Sequence, residues 1–151
     1  MKVKLSVFIL CICSMALFAG CKQSGNQQND STVTLAQPLQ QFIDKKYPKA
    51  TVLGVDKEKN GTEVDIRDKD IEKEVWFDTT GQWVSTRWKI KVQEVPVAIM
   101  DKLVNSAYNQ YKVEDITLVE KAEGTFYEFE MKQENNEVRV VFDSKAQVVV
   151  Q

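Results

Sequence analysis

The chain has 151 residues, of which 43% are hydrophobic, 28% charged and 9% aromatic, enough apolar material for one compact core. Lys and Arg number 20 against 22 Asp and Glu, a net charge of −2 that excludes the basic stripe a nucleic-acid binder needs. There is no histidine, which removes the commonest general base, the commonest metal ligand and every Ser-His or Cys-His nucleophile. The composition favours a binding or structural module over an enzyme, with no cofactor motif and no metal-ligand set.

The chain opens with Met1-Lys2-Val3-Lys4, passes through the apolar run Leu5–Phe18, and reaches Ala19-Gly20 before Cys21. A basic start, a short apolar stretch and small residues at a cut site predict a secretory signal peptide over residues 1–20. The run is shorter than the about 20 residues of a membrane span. It also lacks the polar face of a helix in a folded domain. Leu17-Phe18-Ala19-Gly20-Cys21 resembles the lipobox of bacterial lipoproteins, with Phe18 where that pattern usually has Leu, Val or Ile. The resemblance implies that Cys21 is diacylated, becomes the first mature residue and anchors the protein stably to the cell envelope, in the periplasm or at the outer membrane. Cys11 and Cys13 leave with the peptide, so Cys21 has no internal disulfide partner. Lys2 and Lys4 leave too, taking two of the 20 basic residues and none of the 22 acidic ones, so the net charge goes from −2 to −4. Residues 21–34, rich in Gln, Asn and Ser, read as a flexible tether.

From there the chain reads as a duplicated unit. Pro38, Phe42, Tyr47, Val52, Gly61-Thr62 and Val75-Trp76-Phe77-Asp78 are followed by Pro96, Leu103, Tyr108, Val113, Gly124-Thr125 and Val140-Val141-Phe142-Asp143 in the same order. Each unit opens with a proline, tolerated in a first helical turn where its missing N–H would have no partner. Helically spaced apolar residues follow: Leu39, Phe42, Ile43 and Tyr47, then Ile99, Met100, Leu103, Val104, Ala107 and Tyr108. Period-two patterns predict strands at 51–58, 62–67, 72–78 and 82–92, then 112–122, 125–132, 137–143 and 147–150. Lys59-Asn60-Gly61, Thr80-Gly81, Glu123-Gly124 and Asn135-Asn136 supply turns that tolerate positive φ. Ser144-Lys145-Ala146 replaces the Thr79-Thr80-Gly81 turn in the second copy, which makes a tight hairpin less assured there.

The expected fold is α+β, with two tandem helix-plus-antiparallel-sheet units at 35–92 and 93–151. Their helices lie on one sheet face and the other face is exposed. Units this small are marginal alone and are expected to share a sheet or pack closely. Alternation places Val64, Ile66, Val75, Phe77, Val84, Trp88, Tyr127, Phe129, Val138, Val140 and Phe142 under the helices. Glu63, Asp65, Glu74, Arg87, Glu128, Glu130 and Arg139 point outward.

The order of a proline-started helix, Tyr47-Pro48-Lys49-Ala50, Val75-Trp76-Phe77-Asp78-Thr79-Thr80-Gly81, Glu94-Val95-Pro96 and a second copy resembles the PepSY-like proteins, also described as β-lactamase-inhibitor-protein-like. These are often exported lipoproteins of Bacteroidetes-type bacteria. The resemblance covers roughly residues 35–151. It implies helices on one face of an antiparallel sheet and no catalytic site. PepSY relatives include propeptide modules that inhibit peptidases, and β-lactamase inhibitor protein grips its enzyme with an aromatic-rich concave sheet face. Both are analogies of fold.

The candidate partner site is Trp76, Trp83, Arg87, Phe126 and Arg139. If Thr79–Gly81 is a hairpin tip, Trp76 and Trp83 come nearly opposite on the outward face, where rigid aromatic area and arginine suit an interaction hot spot. They equally suit a stabilising cross-strand pair or packing against a loop or the other unit. Asp65, Asp68, Asp70 and Glu72 lack the spacing of a calcium loop and alternate with Arg67, Lys69 and Lys73, so they read as a solvated turn. Glu128 and Glu130 share a strand face, the spacing of a glycosidase pair, though such pairs are common on exposed strands. The favoured function is a noncatalytic envelope lipoprotein that binds an envelope or secreted protein or peptide. The alternatives are an inhibitor of a secreted peptidase or β-lactamase, and a glycan or small-molecule carrier.

Overall fold

The structure is a computed structural model that describes residues 34–149. The expected signal peptide, the lipidation site Cys21 and the tether as far as Val33 lie outside the described residues. The elements run α1 (Gln37–Lys46), β1 (Thr51–Glu58), β2 (Gly61–Asp68), β3 (Ile71–Asp78), β4 (Trp83–Lys89), α2 (Val97–Val104), β5 (Lys112–Lys121), β6 (Gly124–Gln133) and β7 (Asn136–Asp143). The strands form one seven-stranded sheet in sequence order, every pair antiparallel. The fold is α+β. Of the expected strand at 147–150, the described residues 147–149 contribute a bridge between Phe142 and Val148 and the hydrogen bonds from Asp143 N–H to the Gln147 carbonyl and from Val149 N–H to the Val141 carbonyl.

Both helices start where proline can stand. Pro38 sits in the first turn of α1, and the Ala36 carbonyl accepts from the amides of Leu39 and Gln40. Pro96 caps α2, its carbonyl accepting from Ile99 and Met100. Helix α2 stops at Val104, short of Ala107 and Tyr108. Asn105 and Ser106 turn their side chains back onto the Asp101 and Leu103 carbonyls and end the helical ladder.

The register sorts the side chains onto two faces. Val64 pairs with Val75 and Val75 with Thr86; Thr86 pairs with Glu120, Leu118 with Tyr127, and Tyr127 with Phe142. Directly opposed residues of an antiparallel ladder point to the same side, so these positions form one face. Helix α1 brings Leu39 and Ile43, followed by Tyr47, against Val64, Ile66, Val75 and Phe77 on that face. Helix α2 brings Ile99 and Leu103 against Ile116, Phe129, Met131, Val140 and Phe142, again on that face. Phe77, Phe129, Phe142, Ile43, Ile66 and Ile99 are fully sealed, each side chain contributing about 1.5–3 kcal/mol relative to exposure.

Between the two clusters the helix face turns polar. Trp88 faces the helix side as expected, but it is half-buried, with the Lys73 ammonium 4.8 Å from its ring. Lys73 also pairs with Asp68 at 2.9 Å and lies 4.7 Å from the Tyr47 ring. Lys46 pairs with Glu120 at 2.8 Å, and the Tyr47 hydroxyl donates to the same carboxylate at 3.5 Å. Burial pushes the Tyr47 phenol up to about 12; a hydrogen bond with Thr86 opposes the shift and the negative charge of Glu120 adds to it.

The turn after β3 recurs after β7 despite the different residues. In the first, Asp78 Oδ1 accepts from the amides of Thr80 and Gln82, and the Gly81 amide donates to the Asp78 carbonyl. In the second, Asp143 Oδ1 accepts from Lys145 and Gln147, and the Ala146 amide donates to the Asp143 carbonyl. Ala146 stands at φ 60° where Gly81 stands at φ 80°. The aspartate therefore dictates this turn, and a glycine is not required.

Candidate functional site

The opposite face carries Glu63 and Asp65 on β2, Trp76 and Glu74 on β3, Ser85 and Arg87 on β4, Lys121 and Val119 on β5, Phe126 and Glu128 on β6, and Val141 and Arg139 on β7. No helix residue packs on it among the described residues. A pocket of about 340 Å³ lies here, lined among others by Trp76, Val84, Arg87, Val119, Lys121 and Arg139. Three of the five residues expected at a partner site, Trp76, Arg87 and Arg139, thus line one cavity. Phe126 is on the same face, 5.4 Å from the Lys121 ammonium.

Trp83 is not there, which corrects the expected indole pair. Trp76 pairs with Ser85 but Phe77 pairs with Trp83, so β4 carries one extra residue, a bulge at Val84. One inserted residue reverses every side chain on one side of it. Trp83 is thereby turned to the helix face, stacked on Phe42 with ring centroids 5.4 Å apart, its Nε1–H donating to Thr86 Oγ1 at 3.0 Å. Val84, expected in the core, is instead 40% exposed and lines the pocket. Trp76 lies over Gly61, where an added Cβ would come within 2.9 Å of the indole and would clash with the Phe77 carbonyl oxygen. Glycine at 61 is what lets the ring settle onto the sheet.

Glu128 is the part that sequence reasoning missed. It points to the open face as expected, yet its side chain is only 6% exposed. Arg87 Nη2 donates to its Oε2 at 2.9 Å, and Arg139 Nη2 pairs with the same oxygen. Arg87 arrives from β4 and Arg139 from β7, so the two side chains converge on β6 across the open face. Val119 lies directly opposite Arg87 and Val141 directly opposite Glu128, and the two are 2% and 5% exposed. Aliphatic stems of long cationic side chains cover apolar surface in this way. Glu128 is thus a clamp on two arginines, and Glu130 lies 3.9 Å from Lys89, an arrangement unlike a glycosidase pair. Arg87 Nε is buried without a hydrogen-bond partner.

The other end of the pocket is acidic. Glu63 and Glu74 line it, and Asp56, Glu63 and Asp65 bring carboxylate oxygens within 4.8 Å of one another. Burial raises the Glu63 pKa from its ordinary value, and the negative charges of Glu74, Asp65, Asp56 and Glu58 raise it further. In the acidic turn singled out in the sequence, Arg67 pairs with Glu72 at 2.6 Å and Lys73 with Asp68.

An antiparallel meander with two helix-centred cores and, among the described residues, a second face on which neither helix packs defines an α+β module. Residues 26–72 and 62–149 match the family model described as "Putative beta-lactamase-inhibitor-like, PepSY-like", and the chain belongs to that family. Among solved structures, the chain is similar to a BLIP-like protein from Bacteroides fragilis, at 25% identity and TM-score 0.69, over 81% of this chain and 89% of that one. A DUF2874 family protein from Bacteroides ovatus aligns at 20% identity and TM-score 0.70, over 78% and 86% of the two chains. A Bacteroides eggerthii structure described as "putative periplasmic proteins" aligns at 20% and TM-score 0.68, over 78% and 88%. No curated protein sequence matches the chain at a significant level. No helix among the described residues is long and apolar enough to cross a membrane.

Proposed function

We propose that the protein is an exported, noncatalytic lipoprotein of the bacterial cell envelope, anchored through Cys21, whose tandem PepSY-like units at 35–92 and 93–151 bind a protein or peptide on the open sheet face. The observation that carries this reading is the cavity lined by Trp76, Val84, Arg87 and Arg139 on a face that neither helix covers. A half-buried indole beside arginines offers contact area at low conformational cost. Support for two units comes from the two cores, one per helix, and from the repeated aspartate turn. Support for an envelope location comes from the lipobox-like Leu17–Cys21 and from the periplasmic description of the B. eggerthii relative.

A photo-crosslinking residue at Val84, on the pocket rim, is expected to trap a partner in intact cells. The same residue at Val97, 74% exposed on α2, is not. Equal yields from both positions would remove the open face as the site. Cys21→Ala is expected to release the protein from the membrane fraction and abolish labelling by radioactive palmitate.

A second reading, inhibition of a secreted hydrolase, draws on the likeness to a BLIP-like protein at 25% identity. It predicts loss of peptidase or β-lactamase activity when purified protein is added at micromolar concentration. Unchanged activity across a panel would discard it.

A further inference from the structure

The open-face pocket has two ends of opposite sign. Arg87, Lys121 and Arg139 stand on one side, with Glu63 and Glu74 on the other and Trp76 and Val84 between them. The basic end is not self-neutralised. Among the carboxylates lining the pocket, Glu128 is the one both guanidiniums hold, each giving it one Nη2 donor, while Lys121 lies over the Phe126 ring and Glu130 stands opposite Arg139 across the β6–β7 ladder. A guanidinium has five N–H donors in a fixed fork, so most of this donor set is left for something else. Arg87 and Arg139 keep 38% and 46% of their side chains exposed, so both are reachable. Glu74 faces Arg87 directly across the β3–β4 ladder, yet Arg87 turns away from it towards Glu128. Glu74 is left exposed at the acidic end. The ends are thus held apart by the pairing with Glu128, although simple proximity would let them neutralise each other.

We propose that this pocket takes a short extended segment of a protein partner with a carboxylate at one end, an apolar side chain in the middle and a cationic side chain at the other. The proposal rests on the reading of the open face as a protein-binding surface and specifies its ligand. The carboxylate lies between Arg87 and Arg139, within reach of Lys121, where bidentate guanidinium hydrogen bonds give both energy and orientation. The apolar side chain packs on Trp76 and Val84. The cation meets Glu63 and Glu74, where crowded carboxylates are relieved by positive charge. The spacing can be derived from the sheet. From β6, where the arginines converge, to β3 or β2 is three or four strand spacings, about 14–19 Å at about 4.8 Å each. An extended pentapeptide, at about 3.3 Å per residue, covers about 16 Å. Glu128 is a positioning residue here, because it fixes both guanidiniums without touching the ligand.

Four capped pentapeptides test this by NMR titration of the purified protein, all with phenylalanine at the centre. Their ends are glutamate and lysine, glutamate twice, lysine twice, or glutamine twice. The mixed-charge peptide is expected to bind at least tenfold tighter than the other three and to shift the Trp76 indole resonance. Arg139→Gln and Lys121→Gln, both at solvent-accessible positions, are expected to erase the preference for glutamate and leave the preference for lysine. Glu74→Gln is expected to do the reverse. Equal binding of all four peptides, or binding of none, overturns the proposal. If the Val84 crosslinker still traps a protein in that case, the docking surface stands and only its charge selectivity falls. If it traps nothing, both fall.

Discussion

Replacing Trp83 by alanine separates the tryptophan on the helix face from Trp76 on the open face. The ring stacks on Phe42 at 5.4 Å and 22°, a contact of about 0.5–1.5 kcal/mol beyond its area. Its Nε1–H satisfies Thr86, which is fully buried, so truncation forfeits about 1 kcal/mol of hydrogen bonding. The Lys46 ammonium lies 4.0 Å from the ring centroid, worth about 0.5–1 kcal/mol at an accessible site. Buried Trp→Ala changes cost about 3–5 kcal/mol, and a half-buried Trp83 belongs at the lower end, about 3 kcal/mol. For a domain of this size that lowers Tm by about 10 °C. Trp76, resting on the open face over Gly61, is expected to cost about 1 kcal/mol when truncated. Urea and thermal unfolding followed by far-UV circular dichroism give both numbers. If Trp76→Ala proves the more damaging, or Trp83→Ala falls within about 0.5 kcal/mol of the parent, the bulge at Val84 and the face assignment are wrong.

Tyr47 predicts an alkaline dependence. Its folded pKa of about 12 lies above the ordinary 10, so its contribution is complete below pH 10 and is lost as pH rises towards 12. The stability of the parent relative to Tyr47→Phe should therefore fall by about 2–3 kcal/mol across that interval, and a pH-independent difference would contradict the burial argument. The two aspartate turns predict an asymmetry. Gly81→Ala forces a side chain to φ 80°, with its Cβ 3.4 Å from Leu39 Cδ1, and should cost about 1 kcal/mol. Ala146→Gly should be nearly neutral in chemical denaturation, because relief at φ 60° is offset by loss of a buried methyl worth about 0.8 kcal/mol. A large gain from Ala146→Gly would show that the second turn is strained.

Strands β2, β3, β6 and β7 follow the alternation of their sequences without interruption, because Val64-Ile66, Val75-Phe77 and Val138-Val140-Phe142 each need one dry side, whereas β1 and β5 each carry a register shift, at Val52–Gly54 and Val113–Asp115. The irregularity that redirects a candidate site residue is at Trp83-Val84-Ser85, where period two is broken by a bulge. Nothing in the composition of that tripeptide announces the extra residue. It is forced by the Asp78 turn, which fixes Gln82 opposite Asp78, and by the ladder from Ser85 onward, which leaves one residue over. The burial of Glu128 was equally illegible. A glutamate in an alternating strand reads as solvated, and only the pairing of β4 through β7 brings Arg87 and Arg139 onto it from opposite sides. The repeated aspartate turn was half legible. Asp143 carries the signal, while the missing glycine at 146 argues against a turn that the side-chain hydrogen bonds nonetheless secure.

Every strand after β1 in this sheet lies beside the strand that precedes it in the chain, and among the strand pairs it is β4–β5 that joins the first half to the second. Contacts are therefore short in sequence, and little loop entropy must be spent before they form. The β1–β4 half has its helix and core in place before residue 90, so a chain arriving N-terminus first can begin to organise without waiting for its end. It then exposes the bare edge of β4, which Lys89 and Arg87 guard with charge against pairing with a neighbouring chain until β5 arrives.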